Sequence, residues 1–379
     1  SELDEPLDVV ALESDIVVLG GLDRYETLTW SLVPDEQGTE LRVDAVAKKY
    51  GPPFLFLGLS LENTTAREFR FSLSGRYLAF DVLGSGTELR LDAAVGSEPA
   101  VSASWYRPFG SSAVFVEPRA EAASRTLAEV EGDKVVATYR EVRSRVGADL
   151  GVNLGRLDEL RLGIRTGRLD ADVRVGNPNL PEVSGAETLA DLRWTHDGQD
   201  SPVVPSEGLL ARAAVRYYLD APEPRDVVTT RRTKDVTQAE LRVFWVRTTG
   251  ASRRGRVFAM GGLGTSFDGE PLPTEQFNMG GPFLLGAFNQ GDQRGDHFML
   301  ATGGYLHEIF RMPDFLGGPV FAGGWVETGK AFDQWDDVDY DVHGSGGIIA
   351  DTLVGPLFLS FSAGSGNFRT YVGIGRVFR

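Results

Sequence analysis

The sequence contains no cysteine among its 379 residues, which excludes a disulfide framework and a thiolate metal site. No apolar run approaches the roughly 20 residues that a membrane-spanning helix requires. Basic residues are too few for a nucleic-acid-binding surface, because 38 Lys and Arg face 54 Asp and Glu and the net charge is −16. Ser1 is not preceded by a signal peptide, and we interpret the sequence as a mature chain or a fragment.

Catalytic and metal-binding patterns are missing too. The Gly-x-Ser-x-Gly elbow of serine hydrolases does not occur, and the nearest match, GTSFDG at Gly264–Gly269, lacks the second glycine at that spacing. The acidic stretch Asp333–Asp341 is compatible with a calcium site and with a solvated or lipopolysaccharide-bridged loop. The basic stretch Arg231–Lys234 is compatible with contact to lipid phosphate and with simple solvation. The histidines show no ligand spacing: His196, His297, His307 and His343. We therefore expect no catalytic residue, no metal site and no cofactor.

The first 50 residues predict a small separate unit. Val9, Leu12, Ile16 and Leu19 recur at helical spacing before a Gly-Gly stop. Two predicted strands follow, near 25–33 and 39–47, and the linker KKYGPP ends the unit.

From Phe54 onward the hydrophobic period becomes two, which is typical of strands with two different faces. Leu160, Leu162 and Ile164, for example, alternate with Glu159, Arg161 and Arg165. Two architectures produce such a pattern. A soluble antiparallel sandwich buries one face of each sheet, whereas a membrane barrel turns one face to lipid and the other to its lumen.

Strand number and length favour the barrel. Candidate strands lie roughly at 53–62, 68–80, 86–95, 99–107, 112–126, 134–154, 158–174, 186–197, 206–219, 236–248, 255–267, 296–310, 318–330, 341–353, 356–364 and 368–378. Their number is even, and a backbone that crosses lipid without helices must close on itself. Aromatic residues near strand ends suit interfacial girdles: Trp105, Tyr106, Trp194, Tyr217, Tyr218, Trp325 and Trp335. We expect an all-β fold in which 51–379 forms a 16-stranded antiparallel barrel of the Gram-negative bacterial outer membrane.

A long glycine-rich segment, 268–295, lies between predicted strands eleven and twelve. Gly280 and Gly281 allow turns and a close approach of the backbone to the barrel wall. We expect the segment to fold into the lumen, with Phe283, Leu284, Leu285 and Phe288 as anchors and Asn289 to Asp296 solvated. An ordinary extracellular loop is the alternative.

This segment resembles the lumen loop of the surface-antigen barrel superfamily, which contains the assembly and two-partner-secretion barrels of bacterial outer membranes. The Val/Leu-Arg-Gly-Tyr/Phe motif of that loop corresponds to Leu285, Gly286, Ala287 and Phe288, so the arginine is absent and alanine replaces the glycine. The resemblance makes Glu327 the acidic wall partner of the loop. It also makes the terminal strand, with Tyr371 and Phe378, the signal for the outer-membrane assembly machinery.

Nearly the whole chain resembles the C-terminal region of bacterial patatin-like outer-membrane proteins, in YETLTWSLVPDEQGTELRVDAVAKKYGPPFLFLGLSLE, SWYRPFGSSAVFVEP and the lumen loop. The resemblance implies that 1–50 is part of a periplasmic POTRA unit, truncated or cleaved at Ser1. It also implies a non-catalytic anchor or translocator, with any lipase domain upstream. A diffusion porin and a general assembly factor are the alternatives. Expected partners are outer-membrane lipid, lipopolysaccharide, and a passenger or periplasmic polypeptide, with no nucleic acid.

Overall fold

A computed structural model describes residues 7, 9, 12, 25–35, 38–47, 53–65, 68–110, 112–131, 134–176, 180, 182–201, 204–224, 231–313, 315–336, 338–352 and 355–374. Most of the predicted opening helix lies outside these residues, although Val9 and Leu12 are helical. Among the residues described, no helix is long and apolar enough to cross a bilayer.

Every bounded element is a strand. Two strands form a separate hairpin, β1 (Tyr25–Asp35) and β2 (Gly38–Ala47). The barrel begins with β3 (Phe54–Thr65), β4 (Glu68–Phe80), β5 (Glu88–Gly96), β6 (Ala100–Pro108), β7 (Val114–Glu131), β8 (Lys134–Leu154), β9 (Asp158–Gly176) and β10 (Val183–Asp197). It continues with β11 (Gly208–Asp220), β12 (Thr237–Thr249), β13 (Gly255–Phe267), β16 (His297–Arg311), β17 (Gly317–Phe332), β18 (Asp341–Thr352), β19 (Leu357–Gly364) and β20 (Asn367–Ile374). The short β14 (Phe277–Met279) and β15 (Gln293–Gly295) pair with each other.

The barrel is one antiparallel sheet of 16 strands, each paired with its neighbour in the chain. The predicted strands all occur, and β7 extends to Glu131, beyond its predicted end. The first strand, β3, lies beside the last, β20. No ladder of paired residues joins these two strands within 53–65 and 367–374, so the described barrel is nearly closed, with one seam.

The two faces of the wall differ as the alternation predicts. Val146, Leu162 and Val326 point outward and are each 57% exposed. Asp149 and Glu327 point inward on β8 and β17 and are fully buried. A continuous outward layer of exposed apolar side chains would be costly in water, and a bilayer is the surrounding that covers it.

Ring-bearing side chains occur near the ends of the outward-facing register. On β12, outward-facing Trp245 lies eight residues from Thr237, about 27 Å along the strand, or about 20 Å along the axis of a barrel with strands tilted by about 40°. On β16, Tyr305 and His297 are also eight residues apart, and Trp335 packs on His297 with ring centroids 5.0 Å apart. Aromatic rings therefore lie near both edges of the apolar layer.

Three aromatic residues predicted for the girdles have other positions. Tyr106 packs on inward-facing Phe115, with ring centroids 4.7 Å apart. Tyr218 and Trp325 are 3% and 4% exposed and also point inward. The prediction was wrong for these residues because each occupies the inner register of its strand, whereas the neighbouring Tyr217 occupies the outer register.

The inner wall has two different halves. From β12 to β20 it contains a buried apolar cluster that includes Phe244, Phe258, Phe321, Ile349 and Phe358. From β7 to β11 it carries many arginines and carboxylates. The long connections between strands, around 221–236, 268–296 and 333–340, all lie at one end of the barrel.

We expect arginine at an outward position to destabilise the barrel strongly. Leu162→Arg places a charge in the apolar layer on β9 and should cost about 2–4 kcal/mol if the residue lies near the bilayer midplane. Urea unfolding in lipid vesicles measures this loss. Leu157→Arg is the matched control, because Leu157 lies in the turn between β8 and β9. Equal stability of the two variants would contradict a lipid-facing wall.

Candidate functional site

The segment between β13 and β16 folds back against the inner wall. Its β14–β15 hairpin pairs Phe277 with Gly295. Phe277 and Met279 pack with Phe298 and Leu300, which point inward from β16. The hairpin therefore packs its apolar side chains against those of the inner wall.

Glycines permit the tight turn at its tip. Gly280 and Gly281 have φ of 125° and 97°, and their N–H groups donate to the carbonyls of Leu284 and Phe288 at 2.8 and 3.0 Å. A Cβ on Gly280 would lie 1.9 Å from the Asn289 carbonyl oxygen. Another residue would not fit without moving the backbone.

Two large apolar residues of the tip adopt unusual backbone angles. Phe283 and Leu285 have φ of 65° and 71°, which costs bulky residues on the order of 1–3 kcal/mol each. Both are buried, and the Phe283 ring stacks on Trp325 with centroids 4.5 Å apart. Burial of two large side chains, about 1.5–3 kcal/mol each, offsets this strain.

The first anchor is the carboxylate of Glu327, at the centre of β17. It accepts a hydrogen bond from the backbone N–H of Gly286. It also accepts one from Trp325 Nε1 at 2.6 Å, and Ser345 Oγ lies 3.4 Å away. Neutral donors from the segment and two wall strands therefore surround this buried acid.

Three further contacts extend this anchor. The Ala287 N–H donates to His343 Nδ1 at 3.0 Å, so a neutral His343 ring carries its proton on Nε2, which faces Ser365. Tyr371 Oη on β20 donates to the Phe288 carbonyl at 2.6 Å. Thr302 Oγ1 on β16 donates to the Phe283 carbonyl at 3.2 Å. Strands β16, β17, β18 and β20 thus all hold the tip.

The second anchor is Glu275, near the start of the segment. It pairs with Arg143 of β8 and accepts a hydrogen bond from Tyr218 Oη of β11 at 2.8 Å. Gln238 of β12 donates to the Glu275 carbonyl oxygen at 2.9 Å. Burial alone would raise the pKa of Glu275, but the charges of Arg143 and Arg145 outweigh it and hold the pKa below its ordinary value.

The two anchors bind the segment to different parts of the wall. Glu327 is on the thirteenth barrel strand, whereas the partners of Glu275 are on the sixth, ninth and tenth strands. The segment is therefore fastened to strands on both sides of the pair β13 and β16 that it connects.

Ion pairs form at the end of the barrel that carries the long connections. Arg231 donates to Asp296 and Asp333, each at 2.9 Å, and Lys330 lies 3.0 Å from Asp341. Arg231 and two acids of the 333–341 stretch thus bond within the protein. Asp296, expected to be solvated, is buried because it lies under Arg231 and Gln276.

The tip brings together most residues singled out from the sequence: Gly280, Gly281, Leu285, Gly286, Ala287, Phe288, Glu327 and Tyr371. Phe378 lies outside the described residues. Sequence reasoning missed Glu275 and His343. The strand register could have indicated His343, because His343 on β18 pairs directly with Glu327 on β17.

The remaining candidate residues form hydrogen bonds within the protein. Ser266 of the GTSFDG stretch accepts a hydrogen bond from Gln238 Nε2 at 3.1 Å. His196 pairs with Asp158 and His297 with Thr265. Across the described part of the chain, no group of three or more potential metal ligands comes together.

The absent motif arginine has a steric explanation. A Cβ at Gly286 would lie 2.3 Å from Ser362 Oγ and 2.9 Å from Ser362 Cβ. Ser362 is itself buried on β19. The wall therefore leaves no room for a side chain here, and Glu327 binds the backbone instead.

No protein-family model matches the chain, and no curated protein matches it. Solved structures do. BamA from Haemophilus ducreyi lacking POTRA domains 1–3 aligns with a TM-score of 0.70 at 12% identity, over 99% of this chain and 80% of that one. CdiB from Acinetobacter baumannii has a TM-score of 0.64 at 10% identity, over 94% and 66% of the two chains. CdiB from Escherichia coli has a TM-score of 0.65 at 13% identity, over 98% and 71%.

These likenesses establish the fold. The chain has the barrel architecture of BamA and CdiB, which is consistent with a position in the Gram-negative outer membrane.

A methyl group at Gly286 should loosen the tip. Gly286→Ala forces Cβ against Ser362 and should cost about 1–3 kcal/mol, as overpacking does. Amide hydrogen exchange across 280–288, followed by mass spectrometry, measures the loosening. Gly303→Ala is the control, because no atom lies within 4 Å of its Cβ position. Equal protection of the segment in both variants would refute the contact.

Acid should release the second anchor. A carboxyl with a lowered folded pKa stabilises above its unfolded pKa, and that stability is lost as pH falls through the folded value. We expect the segment to gain mobility below about pH 4, the ordinary range of glutamate. The chain has no cysteine, so a nitroxide on Asn278→Cys reports this motion. In Glu275→Gln the acid-induced change should be smaller, and an identical pH profile would rule out Glu275 as its source.

Proposed function

We propose that this barrel is the outer-membrane anchor and translocator of a polypeptide secretion or assembly system, and that it acts without catalysis. The apolar outer face holds the protein in the bilayer. The lumen segment closes the pore at rest and moves or yields when a chain passes. The fold that the chain shares with BamA and CdiB supports this proposal.

The observation that carries the proposal is the segment fastened inside the lumen. A 16-stranded barrel is wide enough for an aqueous channel. Here Phe283 and Leu285 lie in buried apolar clusters. Glu275 and Glu327 hold the segment on different strands of the wall. A passive diffusion pore gains nothing from such a closure, whereas a translocator that must not leak at rest does.

Strand edges offer a route for polypeptide binding. The seam between β3 and β20 leaves backbone groups at both edges available for an added strand. The β1–β2 hairpin offers further edges. We propose that 1–50 is part of a POTRA-like unit that delivers polypeptide, that the barrel spans 51–379, and that 268–295 is its lumen-folded loop.

The finer proposal is that the barrel belongs to a patatin-like outer-membrane protein. It rests on the resemblance of the β1–β2 region, the β6–β7 hairpin and the lumen segment. Lipid and lipopolysaccharide would surround the wall, and the assembly machinery would read the terminal strand at Tyr371 and Phe378. A Gly-x-Ser-x-Gly domain encoded before Ser1 would support this proposal, whereas several successive POTRA units there would favour a general assembly factor.

Conductance in planar bilayers tests the closed state. We expect small or flickering currents from the native barrel and a large steady current after deletion of 277–295, because the lumen loses its filling. A large steady current from the native barrel would favour a diffusion porin and overturn the proposal.

A milder pair of variants controls for damage by the deletion. Glu275→Ala with Glu327→Ala removes both anchors and should raise conductance. Glu207→Ala with Glu270→Ala removes two exposed acids, with side chains 53% and 60% exposed, and should leave conductance unchanged.

A further inference from the structure

The charged half of the inner wall carries arginines and carboxylates in similar numbers. Besides Arg143, which holds the lumen segment, six arginines point inward from β7 to β10. They are Arg119, Arg125, Arg145, Arg161, Arg165 and Arg193, and we call this set the arginine face. Each lies within 4.0 Å of at least one carboxylate.

Around Asp149 and Asp191 the carboxylates lie deeper than the guanidinium groups. The side chains of Asp149 and Asp191 are fully buried, whereas those of Arg119 and Arg193 are 27% exposed. At this part of the face an incoming solute meets guanidinium groups before these carboxylates. Elsewhere on the face carboxylates are exposed as well, since the side chains of Glu121 and Glu159 are 41% and 29% exposed.

A glycine makes this layering possible. A Cβ on Gly163 would lie 2.4 Å from Asp149 Oδ1 and 2.8 Å from Asp191 Oδ1. Because Gly163 has no Cβ, both carboxylates can lie close to its backbone on β9. Arg193 Nη2 lies 2.6 Å from Asp149 Oδ1, and Arg165 Nη1 lies 3.0 Å from Asp191 Oδ1. The arginines thus cover a base of paired acids.

The chemistry of this surface suits oxyanions. A guanidinium is planar and always charged, and its five N–H donors match carboxylate and phosphate oxygens. Most of these arginines contact two or more carboxylates, as Arg165 does with Asp149 and Asp191. Arg119 lies 3.5 Å from Asp149, farther than the nearest carboxylate of any other arginine of the face. Because the acids below offset the total charge, the attraction acts at contact distance more than at long range.

The opposite half of the lumen is closed to solutes. Val204, from the turn between β10 and β11, is buried in the same cluster as Phe283 of the lumen segment. Arg256 fastens that turn by donating to the Val204 and Pro205 carbonyls, both at 3.0 Å. The arginine face lies outside this apolar cluster.

We propose that the arginine face binds oxyanions, namely carboxylate or phosphate groups carried by solutes or chains that enter the lumen. The proposal goes beyond translocation and does not depend on it. An acidic polypeptide in transit and a small free anion share this chemistry.

Protection from an arginine-specific reagent tests the proposal. The folded barrel in neutral detergent is treated with phenylglyoxal, with and without inorganic tripolyphosphate, and modified peptides are quantified by mass spectrometry. At an anion concentration about ten times the Kd, modification of Arg119 and Arg193 should slow roughly tenfold, because only unoccupied sites react. Arg253, whose side chain is 74% exposed outside the lumen, should react equally in both samples.

A second arm replaces tripolyphosphate with oligoglutamate. Protection by both probes indicates that the face accepts an acidic polypeptide, and protection by tripolyphosphate alone indicates that it accepts small oxyanions. The proposal is overturned if neither probe protects Arg119 and Arg193, if Arg253 is protected equally, or if the lumen arginines do not react at all.

Arg119→Gln provides the matched variant, because the other arginines near Asp149 remain. It should weaken the protection of Arg193, whereas Arg253→Gln should not. Unchanged protection of Arg193 in Arg119→Gln would exclude a shared oxyanion site. None of these measurements involves translocation, so failure here leaves the translocator proposal standing.

Discussion

Backbone hydrogen bonding in a medium without water is the constraint on which this structure depends. Each N–H and C=O within the bilayer needs a partner from the protein. Antiparallel pairing of 16 strands around a ring supplies most of those partners, and the described ladders are open at the seam between β3 and β20. Once the ring forms, alternate side chains must face lipid, and only the other half of each strand remains for chemistry.

The inward-facing side chains form two kinds of surface. Between β12 and β20, apolar side chains pack on Phe283 and Leu285 of the lumen segment, as side chains pack in the core of a soluble protein. The charged side pairs its acids with arginines, since an unpaired buried carboxylate would be costly. Glu275 belongs to the second kind. Glu327 differs, because its partners are neutral N–H donors.

The barrel was predictable because its signal repeats. On β9, Leu162 and Ile164 alternate with Arg161 and Arg165, and this pattern indicates the same two-sided environment as in the other strands. Whether a single aromatic side chain points outward or inward was harder to predict. Tyr217 and Tyr218 are neighbours with the same interfacial preference, and only the register decides which one faces lipid.

The site was predictable to the extent that it is local. Gly280 and Gly281 announce a turn, since positive φ is readily adopted by glycine. The partners of the turn come from distant strands. Nothing near Glu275 in the sequence indicates Arg143, 132 residues away. The family motif suggested an arginine at position 286, and only the packing of Ser362 explains glycine there.

The contact between Tyr371 and the lumen segment has a mechanical consequence. Tyr371 and Arg369 tie β20 to Phe288 and Asn289 from the inside. Strand β20, at one edge of the seam, is thereby bonded to the lumen segment, which Glu275 in turn bonds to Arg143 of β8. Of the two strands at the seam, β20 thus has its inner face bonded to the lumen segment, so separating it from β3 would not by itself release that segment.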